Sequence, residues 1–244
     1  MMRPIGFIES CFREKFGTPR QGALVPTAPA RLRIRPEFIP EQSLVGLSEF
    51  SHVWLLFQFH LNTNKGFRSK VHPPRLQGGT IGVFASRSPH RPSPIGLTLA
   101  RLKAIEGDTL VLEGVDLVNS TPILDIKPYI PASDRPSRPR VGWVGRWRAP
   151  RLKVEFSKSA LRDLERVVPA RSRAKVKRLI MESLSHDPRN PRDRAQLRPD
   201  KELAFFFLHY DAHFRVQDGR AQVSRIVAAD EAARRRPPLG PRLV

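Results

Sequence analysis

The sequence holds a single cysteine, Cys11. One thiol excludes an intrachain disulfide framework and any zinc site built from several thiolates, and it fits a reducing compartment. Cys11 itself reads as a small buried hydrophobe and not as a nucleophile. Long apolar runs are also missing. The most apolar stretch, Val53 to Phe59, is far too short to span a bilayer, and no basic amphipathic helix with a bulky apolar face occurs, so no membrane role is expected. The opening MMRPIGFIESCF lacks the apolar centre of a signal peptide, and a cytoplasmic location is the expectation. GxGxxG after a strand, GxxxxGK followed by Ser or Thr, and HExxH are absent as well, which removes the usual nucleotide and metal fingerprints; no metal is expected.

Acidic residues are scarce. Lys and Arg number 43 against 23 Asp and Glu, a formal net charge of +20, and nucleic acid is the leading partner for such a chain. Anionic membrane or acidic protein would be attracted by the same charge. The hydrophobic fraction of 40% suffices for a real core, and 244 residues fit one large domain or two.

What the chain does contain is arranged in short strands. Residues 5–12 read as an opening strand, followed by a rigid polar loop in which Arg20 and Gln21 sit between Pro19 and Gly22. Arg31 to Arg35 alternates Arg and aliphatic residues, which sends Leu32 and Ile34 inward and three arginines outward. Phe50 to Leu61 is nearly continuous in apolar and aromatic residues and predicts a strand covered on both faces. His52 and His60 share a side of it; His52 reads first as a core histidine, and His60, at the strand end, is the better functional candidate. Asn64 to Gly79 is a long basic loop that either covers a site, contacts RNA or is plain solvated loop. Leu97–Ile105 and Thr109–Leu112 flank Glu106-Gly107-Asp108 as a hairpin.

Two stretches carry chemistry. Gly82 to Gly96, GVFASRSPHRPSPIG, starts as a strand at Val83–Ala85 and becomes a proline-stiffened run that presents Arg87, His90 and Arg91 in fixed directions, as recognition of a phosphate, a carboxylate or a polar ring edge requires. The same composition equally describes a basic surface loop. In the second stretch Asp125, Lys127 and Tyr129 recur at every second residue, so an extended backbone projects all three from one face and turns Ile126, Pro128 and Ile130 to the other. Pro128 places this strand at an edge or near the end of a sheet. Asp, Lys and Tyr on one face suit orientation of an exocyclic amine beside a ring nitrogen; a structural ion pair is the competing reading.

From Ala132 to Leu152 the chain is rich in Pro, Arg and Gly, with Trp143 and Trp147 as isolated aromatics, and marks a boundary. Beyond it, Ser159 is expected to cap a helix through Val168, and Ser172 to Leu184 carries Val176, Leu179, Ile180 and Leu184 at helical spacing. HDPRNPRDR is a polar loop, Leu203 to Ile226 reads as two strands joined at Asp218-Gly219, and RRRPPLGPRLV has no periodicity. The expected layout is a mainly β domain at 1–142, a linker at 143–152, a small α+β domain at 153–230 and a disordered basic tail at 231–244.

FASRSPHRPSPIGLTL, VDLVNSTPILDIKPYIP, the GTPRQG loop and the FSHVWLLFQFH strand, in this set, resemble the TrmO (YaeB/TsaA-like) family. The resemblance covers about the first 142 residues closely; DPRNP and YDAHFRV resemble the family's smaller second domain more loosely. It implies a β-barrel methyltransferase outside the Rossmann and knotted classes, a homodimer, that uses S-adenosylmethionine to methylate the N6 amine of threonylcarbamoyl-adenosine at position 37 of threonine tRNA. It assigns Pro19, Arg20, Gln21, His60, Leu61, Arg87, Leu97, Gly114, Val115 and Asp116 to the cofactor, and Asp125, Lys127, Tyr129 and Arg91 to catalysis and the substrate. The anticodon loop would be bound by the basic helices and by Arg31, Arg33 and Arg35. Ser93 stands where the family commonly has Asn, and Asn119-Ser120 replaces an Asp-Gly turn. A catalytically silent tRNA- or ribosome-binding module is the alternative from a different class, and methylation of another RNA or of a small adenine compound is a third.

Overall fold

The computed structural model describes residues 2–62, 67–73, 76, 79–146, 151–189, 194 and 201–229. It is mainly β. Two compact units emerge, each assembled from separated pieces of chain: Met1–Ile8, Arg31–Leu112 and Thr121–Ala149 form one, and Glu9–Ala30, Glu113–Ser120 and Pro150–Val244 the other. No described helix is long and apolar enough to cross a membrane.

The first unit is built around a closed barrel in the order β1-β2-β7-β6-β3-β8. Its strands are β1 (Gly6–Ser10), β2 (Pro29–Ile34), β3 (His52–Gln58), β6 (Ile95–Glu106), β7 (Thr109–Glu113) and β8 (Pro122–Pro128); β4 (Lys70–Val71) and β5 (Ile81–Gly82) make a separate short ribbon. Period-two alternation explains the closure, because each strand sends one row of aliphatic side chains inward. Leu32, Ile34, Val53, Leu55, Phe57, Ala100, Leu102, Leu110 and Ile123 are all buried. The arginine alternation at residues 31–35 holds: Leu32 and Ile34 are interior and the arginines exterior or half-buried. These arginines already have carboxylate partners, Arg31 with Glu106 at 2.8 Å, Arg33 with Asp108 at 2.7 Å and Arg35 with Glu37 at 2.9 Å.

Several expectations change here. β3 is buried on one face only, because Trp54 and Leu56 on its outer side stay half-exposed. β8 is not an edge strand, since it pairs with both β1 and β3; Pro128 is tolerated as its last residue. Val83–Ala85 is not a strand continuing from Gly82 but one turn of 3-10 helix. Residues 64–66, 74, 75, 77 and 78 of the Asn64–Gly79 loop, Trp147 and the basic tail lie outside the described residues.

The second unit has a four-stranded sheet, β10-β11-β12-β9, made of β9 (Lys153–Phe156), β10 (Leu203–Phe207), β11 (Tyr210–Gln217) and β12 (Arg220–Ala228), with β9 parallel to β12. Two helices accompany it, Lys158–Val167 and Arg173–Ser185. The first is capped by Ser157, whose Oγ accepts from Ala160 N at 3.0 Å, and not by Ser159. Leu203 to Ile226 forms parts of three strands instead of two. The extra reversal at Leu208-His209 has no Gly, Asn or Pro to announce it, and Leu208 takes a positive φ of 50°. The Leu208 amide donates to the Cys11 carbonyl at 2.7 Å. Cys11, Phe12, Val25 and Ala28 join Leu164, Ile180, Phe205, Phe207, Phe214 and Ile226 in one hydrophobic core. Burial pushes the Cys11 thiol up to about 12, so it is an inert core residue.

Candidate active site

Three neighbouring strands set the outer face of the barrel. In register, Leu97, Leu56 and Asp125 form one row across β6, β3 and β8, and Leu99, Trp54 and Lys127 the next. Arg101 opposite His52, with Tyr129 donating its amide to the His52 carbonyl at 3.0 Å, forms a third. Asp125 and Lys127 are ion-paired at 2.8 Å with both side chains about half open to solvent. The Tyr129 ring meets Trp54 edge-on at 6.0 Å and His52 at 6.3 Å. Asp134 closes this end, accepting from Trp54 Nε1 at 3.0 Å and from the Ile130 amide at 2.9 Å.

A bulge makes this face possible. Ile123 pairs with Phe57 and Asp125 with the adjacent Leu56, so Leu124 is an extra residue. In a regular strand Ile123 and Asp125 would share a face, and either a carboxylate would enter the barrel or an isoleucine would leave it. The added residue keeps Ile123 fully buried and turns Asp125 outward.

The proline-rich loop is held from within. Arg91 Nη1 donates to the carbonyls of Ser86 at 2.8 Å and Val83 at 3.3 Å, Ser86 Oγ donates to Val83 O at 2.8 Å, and the His90 amide donates to Ser88 Oγ at 3.3 Å. Arg91 is therefore first a strut of the loop, while Arg87 is exposed. Asn62 Nδ2 donates to Pro89 O at 2.9 Å and thereby ties the β3 end, with His60 and Leu61, to this loop. Leu97 remains 45% exposed beside it in the first unit. His90 Nδ1 is buried without a protein partner.

The remaining expected residues belong to the second unit. Gly22–Leu24 forms a 3-10 turn just after Pro19, Arg20 and Gln21, with Gln21 Nε2 donating to Arg20 O at 2.6 Å. Gly114 donates its amide to Ala28 O at 2.9 Å and adopts a φ of +73°, lying against the carbonyls of Gly22 and Pro26. Val115 is buried and Asp116 half-buried just beyond. The two cofactor-assigned segments of this unit thus run side by side. Thr27 is clamped by Glu182 of the second helix, which accepts from its amide at 3.1 Å and its hydroxyl at 2.6 Å. Ser120 takes a φ of +64°, and Asn119 supports it by accepting from the Ser10 amide at 3.0 Å and donating to Ser120 Oγ at 3.2 Å.

Sequence reasoning missed Trp54, Asp134, Thr27 and Glu182. Trp54 carried no outward signal, because its strand is nearly continuous in apolar residues and only the structure shows which face is covered. Glu182 carried no signal, because its partner is 155 residues away. Among the described residues no group of three or more His, Cys, Asp or Glu side chains could hold a metal ion.

The chain matches a family model described as the tRNA-methyltransferase O N-terminal domain over residues 7–135, and one described as the TrmO C-terminal domain over residues 149–229. It is 35% identical over 227 residues to the tRNA (adenine(37)-N6)-methyltransferase of Escherichia coli, covering 90% of this chain and 94% of that protein. It is 45% identical over 187 residues to a putative S-adenosylmethionine-dependent methyltransferase, RcsF, of Pseudomonas aeruginosa, covering 76% and 80%. A mouse tRNA (adenine(37)-N6)-methyltransferase is 54% identical over 138 residues, 56% of this chain; the match spans only 32% of the mouse protein's length. Rat and human counterparts are matched over similar shares of their length, 32% and 31%. A crystal structure of TrmO superposes with a TM-score of 0.77 at 36% identity, covering 93% of this chain and 99% of the other. Another, from Pseudomonas aeruginosa, gives 0.77 at 34% identity, covering 93% and 98%.

Proposed function

The chain belongs to the tRNA-methyltransferase O family, and from that premise we propose that it transfers a methyl group from S-adenosylmethionine to the N6 amine of adenine 37 in tRNA. The finer reading is that the adenine already carries a threonylcarbamoyl group, that the substrate is threonine tRNA presented through its anticodon loop, and that the enzyme works as a homodimer. The observation that carries the proposal is the Asp125–Lys127 ion pair at 2.8 Å beside Tyr129 on an open sheet face. Phosphate binding alone has no use for a carboxylate there.

The residues fit the cofactor. A carboxylate-bearing, positively charged nucleoside calls for a cation at its amino-acid end, apolar surface for its ring and polar partners for the ring edge. In the first unit Arg87, the exposed Leu97, and His60 with Leu61 answer that description, and the unpartnered buried His90 Nδ1 is a polar atom awaiting one. In the second unit Pro19, Arg20, Gln21, Gly114, Val115 and Asp116 carry the same assignment. Arg87 and Arg20 would each meet the methionine carboxylate or the substrate and not the cationic sulfur, which like charge disfavours. When bound, S-adenosylmethionine supplies an electrophilic methyl group.

The chain's own residues must make the acceptor nitrogen reactive. An N6 amine conjugated to a carbamoyl group is a poor nucleophile, because its lone pair is delocalised. Asp125 would accept the N6 proton, and Tyr129 would orient the amine. Lys127 Nζ, held at 2.8 Å from Asp125, would stabilise the charge that develops and, with Arg91, hold the anionic threonyl group. Incubation with labelled S-adenosylmethionine and tRNA from cells with and without the threonylcarbamoyl modification tests the reading. Label confined to modified threonine tRNA supports it. Transfer to unmodified tRNA alone overturns the finer reading, and no cofactor binding at all leaves an RNA-binding module.

A further inference from the structure

Between Glu49 and Glu106 the chain contains no carboxylate side chain, yet it carries Lys65, Arg68, Lys70, Arg75, Arg87, Arg91, Arg101 and Lys103. Within the first unit this stretch exposes two large aromatic rings. Phe84 is 72% and Phe67 55% solvent-exposed, and their rings lie at 6.5 Å and 28° to one another. The Arg91 guanidinium sits 5.6 Å from the Phe84 ring centre.

Phe84 is rigidly mounted. Its neighbour Val83 is buried and donates its amide to Ser69 O at 2.9 Å, and the Val83 carbonyl accepts from Arg91 and Ser86. The following carbonyl, Ala85 O, accepts from Trp143 Nε1 at 2.8 Å. A one-turn helix is thus fixed at both ends so that the single residue between them points into solvent. Exposing a fixed phenylalanine is unfavourable in water unless something covers it. The cover must have a flat face and negative charge, because Arg68, Lys70 and Arg87 are exposed around it and no acid is nearby in the sequence.

We propose that Phe84, with Phe67, is a stacking platform for an unpaired nucleobase of the RNA substrate, with Arg68 and Lys70 taking the flanking phosphates. The inference rests on the tRNA reading above and adds a recognition site next to the reacting base. Sequence-tolerant binding of single-stranded RNA combines aromatic faces with a positive track in this way. A splayed anticodon loop offers such bases, whereas a duplex does not.

The test compares wild type, Phe84→Ala and Phe84→Trp for binding to a threonine tRNA anticodon stem-loop and to a blunt, fully paired RNA duplex of equal nucleotide count. Methyl transfer and sedimentation are measured in parallel. Phe84→Ala is expected to weaken stem-loop binding about ten-fold while leaving duplex affinity and the salt dependence unchanged, and Phe84→Trp to restore it. Equal stem-loop binding by wild type and Phe84→Ala overturns the platform, as does an equal loss on the duplex. Dissociation of a dimer in Phe84→Ala overturns it too, by assigning the rings to a contact between copies. Wild type that binds the stem-loop through Phe84 but transfers no methyl group sinks the catalytic reading and leaves the platform standing.

Discussion

Glu182 and Thr27, 155 residues apart, are joined by two hydrogen bonds to one carboxylate oxygen, 3.1 Å from the Thr27 amide and 2.6 Å from its hydroxyl. The bond reaches from the second helix to the segment that follows Pro19, Arg20 and Gln21. Removing the carboxylate leaves an amide and a hydroxyl unsatisfied in a half-buried place. Glu182→Ala is expected to cost about 1–3 kcal/mol in urea unfolding and Glu182→Gln less, since the amide oxygen keeps one acceptor. If the cofactor assignment of this segment is right, Glu182→Ala also raises the Kd for S-adenosylmethionine while Glu182→Gln largely preserves it, as calorimetry would read.

Asp125 and Lys127 are half open to solvent, so their substitution leaves the fold intact and tests chemistry alone. Asp125→Asn and Lys127→Ala are each expected to lower kcat roughly a hundred-fold or more, with the Kd for S-adenosylmethionine unchanged. Unchanged turnover in both variants would remove the pair from the reaction.

The barrel arginines lead to a negative expectation. Arg31 and Arg33 are matched to Glu106 and Asp108, and the Arg33 guanidinium, with Thr109 beside it, holds the Asp108 carboxyl below its ordinary value. The pairs present little net charge to an approaching phosphate. Replacing both arginines by alanine should change tRNA affinity by no more than about two-fold and leave the salt slope nearly unaltered. A loss like that of a true phosphate contact would show that RNA displaces the carboxylates.

His186 ends the same helix as Glu182. Burial, and next the Arg151 cation, hold its imidazole below the ordinary value of 6.5, against a bond with the Leu24 backbone and the Glu182 charge. The unfolded chain therefore binds the proton at higher pH than the folded one. His186 contributes stability above about pH 6.5, and that contribution is lost as pH falls through the folded value. Urea midpoints of wild type should drop more than those of His186→Asn between about pH 7.5 and pH 5.5. Parallel curves would discount the group.

Much of the barrel was legible because its signal is local. Alternation at Leu32 and Ile34, the Gly107 turn between β6 and β7, and helical spacing from Val176 to Leu184 each fit within a few residues. The reversal at Leu208-His209 was not legible, since a leucine at positive φ is held there by the distant Cys11 carbonyl. The helix cap moved from Ser159 to Ser157 for a similar reason: the Ser157 amide donates to the distant Val223 carbonyl at 2.9 Å, which fixes that serine at the helix end.

The residues alone determined the basic character, the barrel-forming alternation, the family likeness and the shared side of Asp125, Lys127 and Tyr129, because composition, period and motif are properties of neighbouring residues. Only the tertiary structure decided which side that is. Whether Asp125 faces the core or the solvent depends on one extra residue, Leu124, relative to the partner strand β3. A strand's own sequence carries its period but not its register, so the side to which Asp125 turns was set by pairing across the barrel.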